Sequence, residues 1–118
     1  MQGFTFPKTH RILNRVDFVN ANREGEKYHT AHFTVFLRNN GLSHSRLGIT
    51  TNKKVGGSVT RNRTRRLLRE CYRLHEAHFP SGYDIVISAK TGAGDLDFWK
   101  VKEEILALFT DKKFRTFS

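Results

Sequence analysis

Acidic side chains are scarce in this chain: 11 Asp and Glu stand against 21 Lys and Arg, giving a formal charge of +10. A surface so self-repelling is tolerated when the working partner is a polyanion, and nucleic acid is the leading candidate. Cysteine is nearly absent. Cys71 is the only one, so no disulfide can close within the chain, and a reducing cytoplasm is the expected compartment. Its neighbours Leu67, Leu68 and Leu74 suggest a small buried hydrophobe rather than a reactive thiol. Long apolar runs are missing too, since none approaches the roughly 20 residues that span a bilayer. The most basic segment carries no interleaved Trp or Phe, so no membrane partner is expected. The first residues, Met1-Gln2-Gly3-Phe4-Thr5-Phe6-Pro7-Lys8, lack the basic-then-apolar order of an export signal.

What is present fits one domain over residues 1–118, a size that supports a single hydrophobic core. Residues 1–13 read as a loose basic arm and 111–118 as a frayed basic tail, because neither shows a hydrophobic period. A short helix is expected between Asn14 and Gly25, with Leu13, Val16 and either Phe18 or Val19 on one face. Over residues 31–38 the chain alternates with period two. Phe33, Val35 and Leu37 face a core, while Thr34, Phe36 and Arg38 face away. The turn Asn39-Asn40-Gly41 leads to a strand over residues 46–50, most simply an antiparallel partner of the one before. Residues 84–88 form a β-branched run that reads as a buried central strand. After a loop over 91–94, Asp95 or Asp97 caps a last helix burying Phe98, Val101, Ile105 and Leu108. The order αβββαβα predicts a two-layer α/β sandwich of the α+β class.

The most informative segment lies between these elements. From Lys53 to Arg73 there are eight basic residues (Lys53, Lys54, Arg61, Arg63, Arg65, Arg66, Arg69 and Arg73) against one acid, Glu70. Gly56-Gly57 breaks the chain, Ser58 is placed to cap, and a helix is expected from residue 59 to about 77, before Phe79-Pro80. At 3.6 residues per turn, Arg61, Asn62, Arg65, Arg66, Arg69 and Arg73 fall within an arc of roughly 140°. Thr64, Leu67, Leu68, Cys71 and Leu74 lie opposite, with Arg63 and Glu70 between. Arginine offers a planar fork of donors that matches phosphate oxygens, whereas lysine would serve solubility as well. The plainer alternative pairs Arg66 or Arg69 with Glu70 or Glu76 as surface ion pairs. Gly56-Gly57-Ser58 could also present helix-terminal amides to a phosphate, although no nucleotide-loop pattern is present and a plain turn is the simpler reading.

These residues resemble the protein subunit of bacterial ribonuclease P. The resemblance rests on Lys53-Lys54-Val55-Gly56, on Val59-Thr60-Arg61-Asn62-Arg63-Thr64-Arg65-Arg66-Leu67-Leu68-Arg69-Glu70, on Arg46-Leu47-Gly48-Ile49 and on Asp84-Ile85-Val86-Ile87, in that family's order and spacing. It covers about residues 11 to 110. It implies a small mixed sheet with an unusual left-handed βαβ crossover, against the usual right-handed rule. It further implies that Lys53, Lys54, Arg61, Asn62, Arg63, Arg65, Arg66 and Arg69 bind the catalytic RNA, with Asn62 alternatively holding neighbouring backbone or arginines. Phe18 and Phe36 match aromatic positions of a cleft that takes the single-stranded 5′ leader of precursor tRNA, where ring faces suit splayed bases. Their alternative is plain core. In this reading the RNA, with bound Mg²⁺, hydrolyses the phosphodiester. The protein carries no catalytic group, metal ligand or small-molecule site. The chain departs from the family pattern at Asn22, where a second helix aromatic is common, and at Asn52, Gly57-Ser58 and Thr64.

Two rival functions remain at this level. His10, His29, His32, His44, His75 and His78 could furnish a protein nuclease, but no carboxylate or cysteine spacing completes a site. A ribosomal or assembly-type RNA binder, or a duplex-DNA reader, shares the composition and is opposed only by the ordered motif.

Overall fold

A computed structural model describes residues 10–12 and 15–110, so Leu13, Asn14, most of the N-terminal arm and the tail 111–118 lie outside the described residues. The elements are α1 (Arg15–Glu24), β1 (Glu26–His29), β2 (Phe33–Asn39), β3 (Arg46–Thr50), α2 (Ser58–Leu74), β4 (Tyr83–Ala89) and α3 (Phe98–Thr110), with short 3₁₀ turns before β4 and α3. The strand order is β1-β2-β4-β3. β2 pairs antiparallel with β1 and β4, and β3 pairs parallel with β4.

The expected β2–β3 pairing is therefore wrong. The central place belongs to β4, whose Ile85, Val86 and Ile87 are all buried and need neighbours on both edges. The connection between β2 and β3 is built to step across it. Asn39 and Asn40 accept hydrogen bonds from the Gly41 and Leu42 amides, and Asn40 N–H donates to Gly82 O at 2.9 Å. These side-chain turns carry the chain past the end of β4, a step of about two strand spacings that a two-residue hairpin cannot make.

One sheet face presents Phe33, Val35, Leu37, Leu47, Ile85 and Ile87 to Leu68, Cys71 and Tyr72 of α2 and Val101, Ile105 and Phe109 of α3, forming the main core. Period-two alternation sends Phe36 and Val86 to the other face, where they meet Ile12, Phe18 and Ala21. The main sandwich is thus sheet on α2 and α3, with α1 resting on the outer face. Val16 and Val19 of α1 do not face the core as expected. They are 66% and 40% exposed, and Ala21 is the buried residue, because the helix comes too close to the sheet for a larger side chain.

Ser58 is the first helical residue, not a cap: Gly57 takes the N-cap in extended conformation and no side chain closes that end. At the other end α2 stops at Leu74, three residues early, and a 3₁₀ turn over Glu76–His78 reaches Phe79. Thr64 is buried on the core side yet satisfied, its hydroxyl donating to Thr60 O at 3.0 Å. Asp97 supplies the α3 cap, accepting from Lys100 N–H at 2.9 Å. The hairpin between β1 and β2 is tied to α3 by Glu104, which accepts from the Thr30 hydroxyl, from His32 N–H at 2.6 Å and from the His32 ring at 2.9 Å. Burial raises the Glu104 carboxyl, but these donors outweigh it and hold it below its ordinary value.

Burial pushes the Cys71 thiol up to about 12 against the lowering charge of Lys102. Cys71 in the folded protein should therefore resist iodoacetamide at neutral pH and react only after denaturation, as mass spectrometry of the alkylated chain would show. Rapid labelling of the native form would mean that the helix opens locally.

Candidate RNA interface

The crossover from β3 to α2 places the basic residues. Gly56, at φ 147°, occupies backbone space that side chains rarely adopt, and a Cβ there would lie 2.9 Å from Thr60. Its turn sets Lys53 and Lys54 on an exposed loop just ahead of the helix. Along α2 the arginines divide by partner. Arg63 is half-buried and donates to Gly94 O at 3.3 Å and Leu96 O at 2.9 Å, fastening the loop before α3 to α2. Arg73 pairs with Glu70. Arg65 donates to the Thr51 hydroxyl at 2.6 Å and to Asn62 Oδ1. Asn62 therefore holds a neighbouring arginine, one of the two roles expected for it.

The alternative surface pairs of Arg66 or Arg69 with Glu70 or Glu76 do not form among the described residues. Glu70 is taken by Arg73, and His10 lies 3.5 Å from Glu76. Among the described residues, Arg66 and Arg69 make no hydrogen bond or ion pair, and Arg61 Nε is buried without an acceptor. Partial burial and the charges of Arg11 and Arg65 pull the Arg69 guanidinium below its ordinary value. Crowded cations of this kind gain most from an arriving anion.

Arg69 also joins two sites expected separately. It lines a cleft of about 200 Å³ together with Arg11, Ile12, Phe18, Leu47, Gly48 and Ile49, so the aromatic of α1 and the arginine face of α2 meet along the outer edge of β3. The Phe18 ring lies on bare backbone, for a Cβ on Gly48 would stand 2.6 Å from it. Phe36 shares Phe18's cluster on the outer face but does not line this cleft, and Lys27 Nζ sits 5.7 Å from its ring centre. Both rings are half-buried, so each packs and still offers an edge.

Sequence reasoning missed Arg11 and Thr51. Arg11 was assigned to a loose arm, yet it bridges to Leu47 beside β3, where Ile12 N–H donates to Leu47 O at 3.0 Å. The signal lay in Ile12, one apolar residue too few to register as a strand. The histidines do not converge: His10 stacks on His44, His75 meets His78 edge to face, and the His32 ring is hydrogen-bonded to Glu104. Among the described residues no three His, Cys, Asp or Glu could hold a metal, and no helix is long and apolar enough to cross a membrane.

Known proteins share this arrangement. A family model, Ribonuclease P, matches residues 6–113. The ribonuclease P protein component of Geotalea uraniireducens is 42% identical over 105 residues, covering 89% of this chain and 92% of that protein. That of Citrifermentans bemidjiense is 43% identical over 109 residues, covering 92% and 93%. The solved RNase P protein from Thermotoga maritima superposes with a TM-score of 0.78 at 35% identity over 84% of this chain and 94% of that one. The Staphylococcus aureus RNase P protein gives 0.79 at 30% identity over 87% and 94%. With its fold and nearly its whole length in common with these proteins, the chain belongs to the ribonuclease P protein family and is an RNA-binding subunit of that ribonucleoprotein endonuclease.

Proposed function

We propose that the chain grips the catalytic RNA through Lys53, Lys54, Arg61, Arg65, Arg66 and Arg69, and guides the single-stranded 5′ leader of precursor tRNA along Phe18 and Phe36. The cleft that joins Phe18 to Arg69 carries this reading: it sets a stacking surface beside the Arg69 guanidinium, which has no acceptor among the described residues. In this proposal Arg63 acts as scaffold through Gly94 O and Leu96 O, and Asn62 orients Arg65.

Arginine and lysine offer no lone pair to a hard cation, so this face does not fit Mg²⁺. In this proposal Mg²⁺ is held by the RNA, which performs the hydrolysis in the cytoplasm. The protein neutralises phosphate repulsion and lengthens the grip on substrate. With about five to eight phosphate contacts, log K for the catalytic RNA should fall against log salt with a slope of roughly −4 to −7.

The deciding experiment is 5′-leader cleavage of a precursor tRNA at low Mg²⁺ by a bacterial ribonuclease P RNA alone, by the protein alone and by both. Cleavage at the mature 5′ end by the mixture only is expected. Cleavage by the protein alone would move the chemistry onto it, and no gain over RNA alone would assign the arginine face to another RNA.

A further inference from the structure

Helix α1 is held on the sheet by little apolar surface. Of its ten residues only Ala21 is buried, with Phe18 half-buried beside it. Two anchors of this kind leave the helix free to slide and roll, so its place must be set by polar contacts. There is one near each end. Arg38 Nε donates to Glu24 Oε1 at 3.1 Å, and Arg46 Nη1 lies 3.4 Å from Asp17 Oδ2.

The two contacts differ in rigidity. Glu24 is 55% exposed and its partner is an ordinary surface arginine. Arg46 is clamped: its Nε and Nη2 donate to Asp84 Oδ1 and Oδ2 at 2.7 and 2.6 Å, and Asp84 is fully buried. The edge of the guanidinium that faces α1 is therefore fixed to the sheet, with little rotamer freedom left to lose. Arg46 and Gly48 also lie two residues apart on one face of β3. Asp17 meets the first and the adjacent Phe18 meets the second, so one strand reads off the register of the helix.

We propose that Asp17 is a positioning residue: through its ion pair with the clamped Arg46 it fixes α1, and hence the Phe18 ring, along the wall of the leader cleft. This rests on the leader reading given above. The position lies outside the arginine face, so it acts on the leader and not on the catalytic RNA.

The test uses the reconstituted holoenzyme and compares affinity for precursor tRNA with affinity for the same tRNA lacking its leader. Asp17→Asn should lower that ratio about tenfold, the scale of one lost base stack, while affinity for the catalytic RNA and the thermal midpoint stay unchanged. Asp17→Glu should recover most of the ratio, and Val16→Ala, on the exposed side of α1, should not alter it. Phe18→Ala should lower the ratio too, and adding Asp17→Asn to it should cost nothing further, because the two act through one ring. An unchanged ratio in Asp17→Asn beside a lowered one in Phe18→Ala would overturn the inference alone. Equal losses in RNA affinity or stability would make Asp17 merely structural. No effect of Phe18→Ala would remove the leader reading and this inference with it.

Discussion

Replacing Arg61 and Arg65 together by alanine should weaken binding to the ribonuclease P RNA by about 2–4 kcal/mol, roughly 30- to 1,000-fold, while random duplex RNA loses far less. The size follows from two charge-assisted contacts, each contributing about 1.5–3 kcal/mol with incomplete additivity. The salt slope should fall by about two, since two phosphates are no longer neutralised. The prediction is specific to these two side chains. The Arg61 side chain makes no hydrogen bond or ion pair among the described residues, so its guanidinium is left for an arriving phosphate. Arg65 is already aimed, held by the Thr51 hydroxyl at 2.6 Å and by Asn62. A prearranged donor loses less freedom on binding than a mobile one. Equal losses on the cognate RNA and on random duplex, measured by filter binding at several salt concentrations, would reduce the face to a general polyanion surface.

Arg63 serves as the internal contrast. It stands in the same basic run, yet its guanidinium is spent on Gly94 O and Leu96 O. Charge counting along a helix cannot separate it from Arg61, because that distinction depends on which carbonyls a distant loop brings within reach. The helical arc did place Arg63 between the two faces, and that intermediate angle is what turns it toward the loop before α3.

Much of the fold was readable where local pattern and burial agree. β4 is a β-branched run and became the central strand; α2 carries an arginine face and a leucine face, and Leu68 and Cys71 are buried as the arc requires. The misses share a physical cause. The order αβββαβα counts three strands before α2 but leaves the first unplaced: β1, Glu-Lys-Tyr-His, is an edge strand with three of four residues exposed, so it has no hydrophobic alternation to detect. The pairing of β3 is decided by which neighbour the buried β4 recruits, a non-local choice. In α1 the valines suggested a core face, but Ala21 and Gly25 allow the close approach, and a Cβ on Gly25 would lie 2.8 Å from Leu37 O of β2. The site was legible as a list of arginines and two aromatics, not as a place. That Phe18 and Arg69 share one cleft with Arg11 follows from the tertiary fold alone.

Arg46→Met should be the most destabilising single substitution on the outer face, at about 3–5 kcal/mol, because it strands the Asp84 carboxylate in a site with no exposure to water. Asp84 would keep only the Asn40 side-chain amide at 3.1 Å, one neutral donor in place of a bidentate cation. Against a typical domain stability of about 5–15 kcal/mol, that loss is a third or more of what holds the chain together. The ion pair spans β3 and β4, Asn40 adds the β2–β3 connection through Asp84, and Asp17 adds α1 through Arg46, so four segments meet at this one pair. Burying such a pair is not in itself efficient, and the comparison with Arg46→Met/Asp84→Leu separates its two costs. If stranded charge is the cause, the double variant should recover most of the lost stability in urea denaturation, yet still mislocate α1. If the double variant is as unstable as Arg46→Met, the loss lies in packing of the arginine stem. A single variant within about 1 kcal/mol of the parent would mean that water or backbone movement reaches Asp84, and that the outer face does not depend on this pair.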